Sequence, residues 1–226
     1  MHPLQNDLQK GLVDLGLDLD EARQSQLLAY LDLIAKWTQV YNLTAVRDAH
    51  EMLTHHLLDS LAVVLPLRRA LADMATLPEG SGARTSFRLL DVGAGAGLPG
   101  VVIAIICPEV MVTCVDTVAK KAAFVQQVAA SLMLPNLKGL HARVETLTEP
   151  HDVVCSRAFA SLKDFTQWSR AALAEAGVWM AMKGKMPSDE VAQLSTDVEV
   201  FHVEPLTVPG LDAERFLLWM RPRSPS

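Results

Sequence analysis

The segment from Leu89 to Gly100, LLDVGAGAGLPG, limits the fold of this chain more than any other part of the sequence. Its apolar start is typical of a buried strand, and its glycines at positions 93, 95 and 97 let the backbone turn tightly and approach a ligand where a side chain would clash. A helix N-terminus with unpaired N–H groups follows, and Pro99 suits its first turn. A turn that only packs is the simpler alternative, but strand, loop and helix together favour a ligand site.

After this loop, short apolar runs alternate with helical patterns. The predicted strands are Phe87–Val92, Val110–Val115, Leu137–His141, Asp152–Cys155, Val178–Met182, Val198–Val208 and Arg215–Met220. The predicted helices are Pro99–Cys107, Lys120–Leu134, Leu162–Ala174 and Ser188–Leu194. Such alternation indicates βαβ units and a parallel sheet with helices on both faces. The last two strands are joined without a helix, which predicts an antiparallel C-terminal pair in a seven-stranded, mostly parallel α/β sheet.

The N-terminal third is predicted to be helical. From Glu21 to Trp37 apolar residues recur every three or four positions, with Asp20 as the cap. A second stripe starts at Leu53, and Pro66 is expected to end or kink that helix. We therefore divide the chain into a helical annex (1–75), a flexible loop rich in glycine, proline and serine (76–87) and an α/β domain (88–226), packed as one compact unit.

The spacing of the glycines separates three kinds of ligand. A dinucleotide site of an NAD-type oxidoreductase has G-x-G-x-x-G, whereas this loop has G-x-G-x-G-x-x-G, and no Lys-Ser/Thr follows as in a phosphate-binding P-loop. Asp116 directly follows the second predicted strand, where an acid binds ribose hydroxyls or caps the next helix. With Asp91 before the loop and an antiparallel sheet end, this arrangement resembles the Rossmann-like class I S-adenosylmethionine-dependent methyltransferases.

Several strings point to a narrower resemblance. They are WTQVYNLTAVR (37–47), HLLDS (56–60), the glycine loop, SRAFASL (156–162) and MKG (182–184). In this order and spacing they resemble the glucose-inhibited division protein B family, the bacterial 16S ribosomal RNA guanine-N7 methyltransferases. The chain departs from the family at Ala94, at Ala96 and in a longer insert over 76–87. The resemblance implies methylation of one guanine near the decoding centre of the small subunit, with S-adenosyl-L-methionine as donor.

The resemblance also implies roles for single residues. It puts Gly93 and Leu98 on the methionine part of the donor, and Val144 and Glu145 on its adenine. Arg157 is the donor-side or substrate-side cation that orients the reactants. The residues themselves add Gly95, Gly97 and Asp116 to the predicted cofactor-binding set. All of these positions follow strand ends, where open α/β sheets bind ligands, and a plain surface arginine is the alternative for Arg157.

The net charge and the cysteines indicate which partners and which cellular compartment suit this chain. A net charge of −6 argues against a surface that is basic throughout, but a local cationic face suffices for RNA phosphates. The candidates for such a face, each equally compatible with an ordinary solvated surface, are Lys120, Lys121, Arg143, Lys183, Lys185, Arg221 and Arg223. Three isolated cysteines predict a reducing compartment without disulfides. We expect a cytoplasmic monomer without a signal peptide or membrane segment.

The expected chemistry needs little help from acids or bases. Guanine nitrogen 7 has a free lone pair and no proton, so rate depends on alignment and on exclusion of water. The adjacent His55 and His56 face different sides of one helix, and no other spacing predicts a metal site. An RNA-binding module with a decayed donor site is a non-enzymatic alternative, which the intact glycines and Asp116 disfavour.

Overall fold

A computed structural model describes residues 2–76 and 84–223 of the chain. Its seven strands form one sheet in the order β3-β2-β1-β4-β5-β7-β6. The strands are β1 (Phe87–Val92), β2 (Val110–Asp116), β3 (Leu137–His141), β4 (His151–Arg157), β5 (Leu173–Lys183), β6 (Val198–Pro205) and β7 (Phe216–Pro222). Only β7 runs against the others, because it pairs antiparallel with both β5 and β6. The predicted seven-stranded, mostly parallel sheet is therefore confirmed.

Helices cover both faces of the sheet and form the N-terminal annex. They are α1 (Gln5–Asp14), α2 (Glu21–Tyr41), α3 (Ala49–Met52), α4 (Asp59–Leu61), α5 (Val64–Ala75), α6 (Gly100–Ile106), α7 (Ala119–Ser131), α8 (Leu162–Trp168) and α9 (Ser188–Ala192). A π-helical stretch, Leu53–Leu58, connects α3 to α4. None of the helices formed by the described residues has the length and apolar character that a membrane crossing needs.

The annex and the sheet share one hydrophobic core. Asp20 caps α2 as predicted, since its carboxylate accepts a hydrogen bond of 2.8 Å from the Arg23 amide. The buried side of α2, which includes Tyr30 and Ile34, packs against α6 and α7. Residues of the annex and of the sheet therefore belong to the same buried cluster. The core thus fixes the annex against the edge of the sheet where the glycine loop lies.

Several predicted helix ends differ from the structure, and two of the differences have a clear physical cause. Pro66 neither ends nor kinks its helix: the preceding helix ends at Leu61, and Pro66 lies in the first turn of α5, where a missing N–H breaks no bond. The helix predicted over 162–174 ends at Trp168. There the Ser169 hydroxyl donates to the Phe165 carbonyl (2.6 Å) and accepts from the Trp179 indole (2.9 Å), so the chain turns back into β5.

The central part of the predicted flexible loop, residues 77–83, lies outside the described residues. The strands predicted on either side of the glycine loop agree well with the structure. β1 and β3 have the predicted bounds, and β2 and β4 extend theirs by one or two residues. Phe87, the last residue of the predicted loop, is the first residue of β1.

Candidate functional site

A cavity of about 440 Å³ lies where the glycine loop meets the annex. Its volume falls within the range of roughly 300–1,000 Å³ that small-molecule sites occupy. It is lined by Leu43, Thr44, His56, Asp59, Gly93, Ala94, Gly95, Ala96, Leu98, Arg157, Ala158, Met182, Lys183, Gly184 and Arg215. Strands β1, β4 and β5 all end here, so the cavity is at the carboxyl edge of the parallel strands, as such folds require.

The cavity brings together half of the predicted site residues. Gly93, Gly95, Leu98 and Arg157 line it, whereas Gly97, Asp116, Val144 and Glu145 do not. A larger cavity of about 1450 Å³ lies at the opposite edge of the sheet, where β4 and β5 begin, and contains none of these residues. The predicted site residues therefore select the smaller cavity as the candidate site.

Gly95 and Gly97 have different roles in the loop. Both have positive φ, +60° and +89° respectively. A Cβ on Gly95 would point into open space, its nearest neighbour being the Gly93 carbonyl oxygen at 3.9 Å. A Cβ on Gly97 would lie 2.4 Å from Val101 Cγ2, so this glycine permits helix packing. Of these two, only Gly95 opens onto the space that a ligand would use.

Gly93 makes room for an aromatic ring from a neighbouring strand end. A Cβ at this position would lie 2.4 Å from Cδ2 of Phe159, just after β4. The backbone of Gly93 nevertheless lines the cavity. Contact of Gly93 with a donor therefore stays a prediction, and its packing against Phe159 gives it a second role that the sequence did not reveal.

Asp116 joins the glycine loop to the start of α7. Its carboxylate accepts hydrogen bonds from the Gly95 amide (3.0 Å) and the Val118 amide (2.8 Å). Lys121 Nζ lies 3.7 Å from the same carboxylate. The contact with Val118 agrees with the helix-start alternative, and that with Gly95 ties the acid to the ligand loop. The role of Asp116 in binding ribose stays a prediction.

Asp91 is a fully buried acid under the loop. It accepts a hydrogen bond of 2.9 Å from the Gly100 amide at the start of α6. Burial raises the pKa of Asp91 to about 7, and this amide bond opposes the rise. Asp91 therefore holds the loop and the helix together from beneath, and it is not among the residues that line the cavity.

Arg157 is held at the cavity wall by the annex. Its Nη1 donates to the His55 carbonyl and to Asp59 Oδ2, both at 2.8 Å. Asp59 Oδ1 accepts from Arg215 Nε at 2.7 Å. The guanidinium of Arg157 is thus largely buried and held by two partners from the annex, while its role towards donor or substrate stays a prediction. The sequence missed Asp59 and Arg215, which lie 98 and 58 positions from Arg157.

His56 forms part of the wall next to Arg157. Its Nε2 lies 2.9 Å from Thr44 Oγ1, and its Nδ1 has no hydrogen-bond partner within the described part of the chain. Burial first, and then the charge of Arg157, lower the pKa of His56 to about 4. The imidazole is therefore neutral at physiological pH. Residues 2–76 and 84–223 contain no group of three or more metal-ligating side chains.

Val144 and Glu145 lie beside the Asp116 end of the site. They begin the short turn after β3, whose last residue, His141, pairs with Asp116 in the sheet. Val144 is buried, whereas Glu145 is bound to Arg143 at 2.8 Å. Their predicted contact with adenine is not tested by this geometry and stays a prediction.

The annex also holds the glycine loop directly. The hydroxyl of Tyr30, buried in α2, donates to the Ala96 carbonyl at 2.6 Å. Sequence reasoning placed α2 correctly but assigned no role to this residue. The signal that could have revealed this contact is a polar hydroxyl among the apolar residues of α2.

Several candidate RNA-contacting cations have partners within the protein. Salt bridges join Arg143 to Glu145, Lys183 to Glu190 and Arg221 to Glu199. Lys120 Nζ lies 5.3 Å from the centroid of the Tyr41 ring, which is 44% exposed. These cations remain candidates, because surface pairs of this kind are weak and exchange readily for phosphate contacts.

The residues present fit S-adenosylmethionine. The cavity has a suitable volume, the Cβ direction of Gly95 is open, and Asp116 reaches the loop from the next strand. Arg157 places a cation in the cavity wall, and the carboxylate end of such a donor carries the opposite charge. This fit rests on the shape and charge of the chain's own residues.

Together, the strand order, the reversed β7 and the glycine-loop cavity define the class I methyltransferase fold. Among solved structures, TrmN from Thermus thermophilus has a TM-score of 0.52 at 17% identity, with 76% of this chain and 53% of that chain covered. A 16S rRNA (adenine(1408)-N(1))-methyltransferase from Catenulisporales acidiphilia has a TM-score of 0.51 at 18% identity, covering 63% of this chain and 88% of that chain. At such identities the likeness concerns the fold alone.

Sequence comparison narrows the class to one family. The family model for rRNA small subunit methyltransferase G (GidB) matches residues 23–218. Proteins with the name ribosomal RNA small subunit methyltransferase G are 66% identical to this chain in Polaromonas sp. strain JS666 (97% of this chain, 94% of the relative) and in Acidovorax sp. strain JS42 (96% and 95%). The chain belongs to this family and is a methyltransferase.

Proposed function

We propose that this enzyme transfers a methyl group from S-adenosyl-L-methionine to ring nitrogen 7 of a guanine in 16S ribosomal RNA, near the decoding centre. Family membership over 23–218 supports an rRNA substrate, since the relatives' names state one. The substrate is this RNA in the assembled or assembling small subunit, and the enzyme acts as a monomer in the cytoplasm.

The observation that carries the proposal is the shared cavity of the glycine loop and the annex. Its wall combines Gly93 to Ala96 and Leu98 of the glycine loop with Leu43, Thr44 and His56 of the annex. Donor and acceptor must meet in line and away from water, and a wall built from two parts of the chain offers surfaces to hold both.

The residues of this cavity match a reaction without proton transfer. The donor, when bound, supplies a methyl group activated by its sulfonium. His56 lies in the wall, but burial and Arg157 lower its pKa to about 4, which makes it a weak base, and its Nε2 lies 2.9 Å from Thr44 Oγ1. Nitrogen 7 has no proton to lose, and the work of the chain is to orient and to exclude water.

Within this proposal each predicted residue has one task. Gly93 and Leu98 contact the methionine part, Asp116 the ribose, and Val144 and Glu145 the adenine. Gly95 leaves the space that the donor fills, and Gly97 keeps the loop packed on α6. Arg157 orients an anionic group or the guanine carbonyl. It does not donate a hydrogen bond to nitrogen 7, because the lone pair of that atom must be free to attack the methyl group.

The direct test is methyl transfer followed by mapping of the product. Small subunits that lack the modification are incubated with donor labelled in its methyl group, and the labelled base is identified. We expect label on nitrogen 7 of one guanine of 16S rRNA, and none with Gly95→Asp. Label on an exocyclic amine, on another RNA or on protein would contradict the proposal.

A further inference from the structure

Asp59 is the centre of a charge cluster that joins three distant parts of the chain. Its side chain is 2% exposed and comes from the annex. One carboxylate oxygen accepts from Arg157 Nη1 (2.8 Å) at the end of β4, and the other from Arg215 Nε (2.7 Å) just before β7. All three residues line the cavity beside the glycine loop.

Each guanidinium has N–H donors that the described part of the chain does not bind. Arg157 binds through Nη1 alone, to Asp59 and the His55 carbonyl. Arg215 uses Nε for Asp59 and Nη1 for the Glu214 carbonyl. Within 2–76 and 84–223, no hydrogen bond engages Nε or Nη2 of Arg157, or Nη2 of Arg215. Their side chains are only 23% and 21% exposed, so the remaining donors are largely confined to the cavity.

The charges of this cluster do not cancel. Two guanidinium groups share one carboxylate, and Lys183, the other cation of the wall, is paired with Glu190. A partly buried positive charge lowers the stability of the folded protein unless an anion lies next to it. Guanidinium donors match the two-oxygen edge of a carboxylate or a phosphate. The cluster is therefore built to accept an anionic oxygen group.

We propose that Asp59 is a positioning residue that holds Arg157 and Arg215 side by side as a binding site for an anionic oxygen group in the cavity. The inference rests on the proposed function, which supplies two sources of such a group: the carboxylate of the donor and a phosphate of the RNA. Asp59 touches neither. It acts through the two arginines, whose like charges it keeps in place.

Calorimetry with two ligands shows whether the anionic group is the carboxylate of the donor or a phosphate of the RNA. S-adenosylhomocysteine carries the carboxylate as part of its amino-acid tail, and 5′-methylthioadenosine is the same thionucleoside with a methyl group in place of that tail. If the carboxylate binds here, Asp59→Asn weakens the affinity for S-adenosylhomocysteine about tenfold or more, because the arginines are no longer held in place and a charge-assisted bond from them to the ligand is lost. The affinity for methylthioadenosine should stay within about twofold. If the phosphate binds here, RNA affinity falls instead, and the salt slope of RNA binding drops by about 0.7.

Asp152→Asn is the matched control. Asp152 is also buried and paired with an arginine, Arg84 at 2.6 Å, but it lies at the start of β4, far from the cavity. Asp152→Asn is expected to lower the free energy of unfolding about as much as Asp59→Asn does, without changing the affinity for S-adenosylhomocysteine or for RNA. If Asp59→Asn does not fold, Arg215→Gln serves as the second variant, because it removes one arginine and leaves Asp59 paired with Arg157.

A double-mutant cycle tests whether Asp59 acts through its partners. In an Arg157→Ala, Arg215→Gln background, Asp59→Asn should produce no further loss of affinity. The inference is overturned if Asp59→Asn and Arg215→Gln bind both ligand and RNA as tightly as Asp152→Asn does. It is also overturned if the affinity lost through Asp59→Asn is the same with and without the two arginines. Failure of the wild-type protein to bind S-adenosylhomocysteine would instead contradict the proposed function.

Discussion

At the scale of single residues, the glycine loop shows that one residue type serves several purposes. Gly95 leaves space for a ligand, while Gly93 and Gly97 leave space for Phe159 and Val101. The sequence predicts all three positions from their spacing but assigns them the same role. Only the directions of the missing Cβ atoms separate them, and those directions depend on residues that the loop meets after folding.

Gly95→Asp should abolish donor binding while the protein stays folded. The new carboxylate would occupy the open space at this position and repel the donor's carboxylate. The matched control is Gly16→Asp, since Gly16 also has positive φ (+67°) and an open Cβ direction. Calorimetry with S-adenosylmethionine should show binding for the control alone. Unchanged affinity in folded Gly95→Asp would remove the glycine loop from the site.

Asp91 should make stability depend on pH. Burial raises its folded pKa from 3.8 to about 7, so its contribution to stability is full below about pH 3.8 and is lost as pH rises through 7. The unfolding free energy of wild type relative to Asp91→Asn should therefore fall by up to about 4 kcal/mol between pH 4 and 8. Urea unfolding of both proteins at each pH measures it. A difference that stays constant or rises would contradict this explanation.

At the scale of elements, α2 links the annex to the loop through one hydrogen bond. The Tyr30 hydroxyl donates to the Ala96 carbonyl, and Tyr30→Phe removes the hydroxyl while keeping the ring. A lost buried hydrogen bond typically costs about 0.5–1.5 kcal/mol, so we expect donor affinity to fall by roughly two- to tenfold as the loop loosens.

The control for Tyr30→Phe is a buried aromatic on the other side of the sheet. Trp179→Phe removes the bond from its indole to Ser169 and leaves the loop untouched. Its stability should fall, but its donor affinity should not. Equal donor affinity in wild type, Tyr30→Phe and Trp179→Phe would show that α2 does not shape the loop.

The sequence predicts elements better than the contacts between them. Strands such as β1 and β2 are short, mostly apolar segments between turn signals, so the local pattern is sufficient. The end of α8 depends on a hydrogen bond between Ser169 and Trp179, ten positions apart, which no local pattern contains. The Asp59–Arg215 contact spans 156 positions. Such contacts follow from the packing of the annex on the sheet, and for that reason part of the site escaped prediction.

At the scale of the whole molecule, an acidic protein must bind a polyanion. The net charge of −6 repels RNA at long range, so binding requires a local group of cations, for which Lys120, Lys121 and Lys185 are candidates. We expect the affinity for the small subunit to fall steeply between low and moderate salt, because each phosphate contact releases counter-ions. An affinity that stays flat over this range would contradict an electrostatic interface.

The absence of a general base is the central claim about the reaction, and single-turnover methylation from pH 6 to 9 tests it most directly. Donor and subunit are both present at saturating concentrations, so that changes in their binding, including any caused by Asp91, do not affect the measured rate. We predict a nearly flat profile. Substitution of His55, His56, His141 or His151 by Gln should cost far less than the roughly 10²–10⁴-fold of a lost base, whereas Arg157→Ala should lower the rate substantially. A steep rise through a pKa near 7 that disappears in one histidine variant would contradict the account and point to an exocyclic amine or a ring carbon as the acceptor.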